Sequence, residues 1–152
     1  MEKTAVEKAV SALEDVSKGL GGYEMYSINL EGIEVVHAET GLLRCLLAVP
    51  ISTCDGDGKW HVGAMTTAME VVGSVAVLTL GSQYCKTLEL TISYYSSAKS
   101  QERVEIEAKI VGTNGNLRSV EVKTTRHGTH ELIALAKLWS LPAGLVPSPS
   151  KL

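Results

Sequence analysis

The sequence predicts an α+β fold: an antiparallel sheet of about six strands wrapped around one long apolar helix, with an extra helix at the amino terminus. Three observations predict it. Segments alternating apolar and polar residues with period two recur along the chain, as strands with one wet face do. One run, from His61 to Gly81, is apolar nearly all round and too long for a strand. The 152 residues, 45% of them hydrophobic, suffice for one domain with one buried core.

Taken in order, Thr4 and Glu7 form a capping box, and Val6, Ala9, Val10, Leu13 and Val16 follow at helical spacing until Gly19. A helix is expected over residues 4–18. Gly21 and Gly22 open a looser stretch. The runs 33–39 and 42–50 flank Thr40-Gly41, which punctuates a hairpin. Residues 51–60, ISTCDGDGKW, read as a Gly/Asp loop, and a buried helix is expected over 62–80. Beyond it, Leu88, Leu90, Ile92 and Tyr94 share one strand face, while Thr87, Glu89, Thr91 and Ser93 share the other. Val104, Ile106, Ala108 and Ile110 repeat the pattern before a turn at residues 113–116. The chain then returns through Val120 and Val122, and a last strand carries Leu132, Ala134, Ala136 and Leu138. The domain is expected to span 1–141. Pro142, Gly144, Pro147 and Pro149 mark 142–152 as an extended tail that continues neither strand nor helix.

A net charge of −3 offers no basic field for a nucleic-acid backbone. Cys45, Cys54 and Cys85 form neither a CxxC nor a Cys/His cluster, so no disulfide framework or metal site is expected, and a reducing compartment fits. No secretory signal is visible at the amino terminus. A membrane span is not expected either, because the apolar run has a central Glu and several Thr, Ser and Gly. Ser150, Lys151 and Leu152 form the SKL tripeptide read by the peroxisomal import receptor; the peroxisome is the expected location, with the cytoplasm as the alternative.

Between Lys59 and Lys86 the one formally charged side chain is Glu70, in the middle of the apolar helix. A carboxylate there is costly unless it is hydrogen-bonded or reaches a water-lined cleft, the setting in which general bases and carboxylate nucleophiles work. At the helix start, the Val62 and Gly63 N–H groups at the positive end of the macrodipole could polarise a carbonyl oxygen. Eight residues separate Val62 from Glu70, about 12 Å at about 1.5 Å per residue, too far for both to grip one carbonyl. Two helices antiparallel about a twofold axis would join them, which predicts a homodimer with interfacial active sites.

His61-Val62-Gly63, Glu70 nine positions after the His, and the segment TLELTISYYSSAK resemble the small hotdog-fold acyl-CoA thioesterases of the PaaI and 4-hydroxybenzoyl-CoA thioesterase group. The similarity covers roughly residues 30–140. The resemblance implies a sheet wrapped around a central helix, dimers that commonly pair into a tetramer, and an acyl-CoA substrate with no cofactor beyond the coenzyme A that substrate carries. It places Glu70 as nucleophile or general base and the Val62 amide at the thioester carbonyl. Ser74 and Thr87 fall where hydroxyls hold the carboxylate or the attacking water, and Asp55 falls where the group often has Asn or Gln. The group usually reads HGG, so Val62 is a departure, and so is acidic Asp55. His61 is expected to orient the helix start, and Lys99 to meet the phosphates of coenzyme A. The activity expected is hydrolysis of an acyl-CoA to free acid and coenzyme A. The alternatives are a hotdog enoyl-CoA hydratase, disfavoured because DGDGKWH lacks the Asn-Pro of D-x-N-P-x-H, and a non-catalytic acyl-CoA binding dimer.

Overall fold

The computed structural model describes residues 1–20 and 24–142, so the Ser150-Lys151-Leu152 tripeptide lies outside the described residues. Helix α1, Ala5–Ser17, starts at Thr4, whose side chain accepts the Glu7 N–H while the Glu7 carboxylate accepts the Thr4 N–H. This is the expected capping box; its backbone hydrogen bond to Glu7 holds that carboxyl below its ordinary pKa. The helix turns Ala9 and Leu13 into the core. A short helix α2, Glu24–Asn29, stands in the stretch read as loose, because six residues are too few for a helical period to show.

Strands β1, Glu34–Glu39, and β2, Leu42–Ala48, form the expected hairpin, and a 3-10 turn at Ile51–Thr53 opens the loop that follows. Helix α3 runs from Val62 to Leu78. Strands β3, Cys85–Tyr94, β4, Arg103–Asn114, β5, Leu117–Arg126, and β6, Leu132–Pro142, complete a six-stranded sheet of order β1-β2-β4-β5-β6-β3 with every neighbouring pair antiparallel. Helix α3 touches every strand from β2 to β6, so the sheet wraps one rod as expected. Its Met65, Ala68, Met69, Val72 and Ala76 are fully buried among Leu43, Ile106, Val122 and Leu138 of the strands.

Three details correct the sequence reading. The small residues of α3 suggest packing against another helix, and α1 and α2 do pack on it, but Gly73 faces the sheet instead: a Cβ there would lie 2.9 Å from Val122 Cγ2 and 3.0 Å from Leu138 Cδ1. Pro142 does not begin the tail but ends β6, paired with Cys85; a residue without an N–H is tolerated at a strand terminus. The third concerns β3. Its pairing with β6 shifts register between Thr87 and Glu89, and this bulge reverses which side chains face inward. Cys85 and Thr87 are half-buried before it, Leu90 and Ile92 after it, while Leu88 and Tyr94 are exposed at 49% and 42%. Leu88 is therefore off the inner face, which Leu90, Ile92 and Tyr94 share, the Tyr94 hydroxyl meeting that of Thr66 on α3.

Among the described residues, no helix is long and apolar enough to cross a membrane.

Candidate active site

The bulge in β3 carries the Thr87 side chain to the half-buried middle of α3. There the Thr87 hydroxyl donates to Glu70 Oε1 at 2.7 Å, and the Ser74 hydroxyl, one helical turn after Glu70, donates to the same oxygen at 3.1 Å. One carboxylate oxygen is thus fixed by two donors. Oε2 accepts no hydrogen bond among the described residues, which leaves it available to a water or a substrate atom. The carboxylate forms part of the wall of a cavity of about 560 Å³ that extends beneath α1. Cys85 borders this cavity too, with its thiol against the Ser74 carbonyl at 3.6 Å. Burial pushes the Cys85 thiol pKa up and the nearby Glu70 charge adds to the shift, against hydrogen bonds to Ser140 and Ser74 that lower it.

The amino terminus of α3 is built differently. His61 is the N-cap, and its Nδ1 accepts the Gly63 N–H at 2.9 Å. A Cβ at Gly63 would lie 3.1 Å from that nitrogen, so glycine lets the imidazole close over the helix start. The Gly63 amide is thereby occupied. The Val62 N–H has no acceptor among the described residues, and Val62 itself is 50% exposed. Of the two amides considered from the sequence, Val62 supplies the free donor at the positive end of the helix.

Asp55 stands in the loop before α3. Its Oδ1 accepts the N–H groups of Asp57 at 2.9 Å and Lys59 at 3.1 Å. These bonds, first that of Lys59, hold its carboxyl below the ordinary aspartate range and commit it to organising the turn. The loop is pinned to the segment after β3: Trp60 N–H donates to the Ala98 carbonyl at 2.8 Å, and Lys59 pairs with Lys99. Lys99 is exposed beside the helix start. Arg126 is committed elsewhere. It bonds Glu102, Glu131, Ser96 and the Ser97 carbonyl, tying the end of β5 to the Lys99 segment.

The structure thus gathers Glu70, Ser74 and Thr87 into one cluster, and His61, Val62 and Gly63 at the helix start. It does not bring the two groups together within one chain, since α3 is continuous from Val62 past Glu70 and the separation stays at about 12 Å. Cys85 and the α1 residues Ala12 and Val16 also line the Glu70 cavity and were missed in the sequence. Inward parity in β3 would have flagged Cys85 alongside Thr87. Nothing in the α1 pattern distinguishes cavity from core. Among the described residues, no group of three His, Cys, Asp or Glu is placed to hold a metal ion.

Comparison with known proteins addresses the fold and the family. Mouse thioesterase superfamily member 2 is 24% identical over 91% of this chain and 97% of its own, with a TM-score of 0.73. The Escherichia coli PaaI protein is 14% identical over 88% of this chain and 92% of its own, with a TM-score of 0.72. A Streptococcus pneumoniae protein described as a hypothetical thioesterase and solved with coenzyme A is 20% identical over 77% of this chain and 90% of its own, with a TM-score of 0.71. These likenesses establish the hotdog-type fold. A comparison with curated proteins finds no significant match. The family model described as Thioesterase superfamily matches residues 57–133, from the loop before α3 to the first residues of β6 and half of the chain, and the chain belongs to the thioesterase superfamily.

Proposed function

We propose that the protein is an acyl-CoA thioesterase whose catalytic carboxylate is Glu70. The observation that carries this reading is a carboxylate in the wall of a mainly apolar cavity, with one oxygen fixed by Thr87 and Ser74 and the other without a hydrogen bond among the described residues. Superfamily membership supports it. So do neighbours of the same fold: the Streptococcus pneumoniae protein solved with coenzyme A and the Streptococcus mutans protein bound to acetyl-CoA.

In the simplest course Glu70 takes a proton from a water, the water oxygen bonds to the thioester carbon, and the carbonyl electrons move to oxygen. A backbone N–H at the start of α3 stabilises that oxyanion. The C–S bond then breaks with its electron pair on sulfur, and the proton held by Glu70 returns to the thiolate. The products are a free acid and coenzyme A. Direct attack by Glu70, with water resolving the anhydride, uses the same groups in two steps. No group beyond the substrate is called for.

The two halves of the site meet if two copies associate. Among the described residues, strand β3 ends the sheet with one unpaired edge and exposes Leu88 there, a surface of the kind that a second strand covers. Pairing of two such edges about a twofold axis would set Glu70 of one copy facing the Val62 N–H of the other. His61 holds the helix start in shape, Asp55 shapes the loop leading to it, and Lys99 offers a cation to the phosphates of coenzyme A. The Ser150-Lys151-Leu152 tripeptide would direct the enzyme to the peroxisome as a receptor-read signal.

The test is free-thiol release from aliphatic and aromatic acyl-CoA esters by the protein and by Glu70→Ala. Turnover by the former, lost in the latter with folding intact, supports the reading. Equal turnover by both removes Glu70 from the chemistry. No turnover by either turns the assignment toward an acyl-CoA binding dimer.

A further inference from the structure

The cavity beside Glu70 has a direction. It runs from the carboxylate along α3 past Val75 to Leu78, and α1 roofs it with Val16 and then Ala12. A second hollow continues from there, sharing Ala12, Leu78 and Gln83 with the first and reaching Ala9 and Ala5 one and two turns back along α1. The first hollow is mainly apolar, the second mixes Ala5, Ala9 and Leu78 with Lys8, Ser82 and Gln83, and the small α1 side chains leave the space open: a larger residue at Ala12 would fill the junction between the two hollows. Tyr26 of α2 borders the first hollow, which Glu70, Tyr84 and Cys85 also line, and Lys8 stands over the second.

We infer that this furrow between α1 and α3 receives the acyl chain of the substrate, and that Ala12 at its narrow point sets the chain length accepted. The inference rests on the thioesterase reading of Glu70 and deepens it by naming the substrate class as straight-chain aliphatic acyl-CoA. A thioester carbonyl held at Glu70 directs its acyl group along the mainly apolar hollow that starts at that carboxylate. Each methylene laid along the furrow leaves water for aliphatic contact, so affinity rises with chain length until the space is filled. A flat aromatic acyl group would use only the mouth, near Tyr26 and Tyr84.

The experiment measures kcat/KM for acetyl-, hexanoyl-, decanoyl- and palmitoyl-CoA with the full chain and with Ala12→Leu, alongside calorimetric binding of the matching free acids. Leu is as compatible with a helix as most residues, so α1 should persist. Val16→Ala provides a second variant that opens the furrow instead of closing it. The inference predicts that Ala12→Leu lowers kcat/KM for the long-chain esters by about 10-fold or more while acetyl-CoA stays within about 2-fold, the size expected for losing one or two methylenes of pocket. Val16→Ala should move the preference the other way. Uniform loss across all lengths, or no change in either variant, would overturn the furrow. If no ester is hydrolysed but the acids bind with an affinity that rises with length and drops in Ala12→Leu, the furrow stands and the catalytic reading falls. If the acids show no dependence on length and no ester is hydrolysed, both fall.

Discussion

The hydroxyl of Thr87 lies 2.7 Å from Oε1 of Glu70, and it arrives there through an irregularity of the sheet. In a regular strand, inward-facing Leu90 and Ile92 would place Thr87 on the outer face; the register shift between Thr87 and Glu89 turns it toward α3. A bulge at this point spends one residue of pairing to aim one donor at one carboxylate.

If that donor orients Glu70, Thr87→Val should lower kcat by about 10- to 100-fold while leaving KM within a few-fold, and Thr87→Ser should restore most of the rate. The check is steady-state thiol release with melting curves for each variant. A Thr87→Val enzyme with unaltered kcat would show that Glu70 needs no help from β3.

The Val62 N–H can be removed almost alone. Proline is favoured at the first position of a helix and lacks the N–H, and His61, at φ −64° and ψ 135°, already has the conformation that a residue before proline requires. Val62→Pro should therefore keep the melting temperature near that of the parent yet reduce kcat by about 10²-fold or more, the usual cost of losing an oxyanion donor. Full activity in this variant would place the oxyanion elsewhere.

Gly73 marks the closest approach of α3 to the sheet. Adding a methyl there pushes against Val122 and Leu138, at a cost of about 1–3 kcal/mol for overpacking, offset by up to about 1 kcal/mol from better helix propensity. Gly73→Ala should lower the melting temperature by a few degrees. A rise instead would mean that the strands yield freely at this point.

Cys45 is fully buried in β2, and burial pushes its thiol up to about 12. The fold favours the neutral thiol, so this contribution to stability is whole below the ordinary thiol pKa of about 8.5. It is lost as pH climbs from there toward about 12. Iodoacetamide mapping at pH 8 should leave Cys45 unmodified in the native protein and modify it after denaturation.

How much of this was legible depends on the kind of signal. Glu70 could be read directly, because a single charge within a long apolar helix stands out against its neighbours whatever the fold. The strands and their hairpins were legible for the same reason, since period two survives without knowledge of the partner strand. Thr87 was reached through family resemblance, while its parity with Glu89 and Thr91 pointed to the wrong face; a bulge is set by pairing with β6, which strand periodicity cannot report. Helix α2 is too short to show a period, and Pro142 reads as a breaker although a strand's last residue tolerates it. The space beneath Ala12 depends on how far α1 stands from α3, a distance that the pattern of either helix leaves open.

The most direct test mixes two inactive chains. Glu70→Gln lacks the carboxylate and Val62→Pro lacks the amide, and each alone should be nearly inert. If every site joins Glu70 of one copy to the Val62 N–H of the other, a mixed dimer holds one doubly damaged site and one intact site. Dissociating and reassociating equal amounts should then restore about one quarter of the parent activity, from half the dimers carrying one working site each. Recovery near that level is the predicted result; thiol release no higher than the two variants give separately would contradict a site shared between copies.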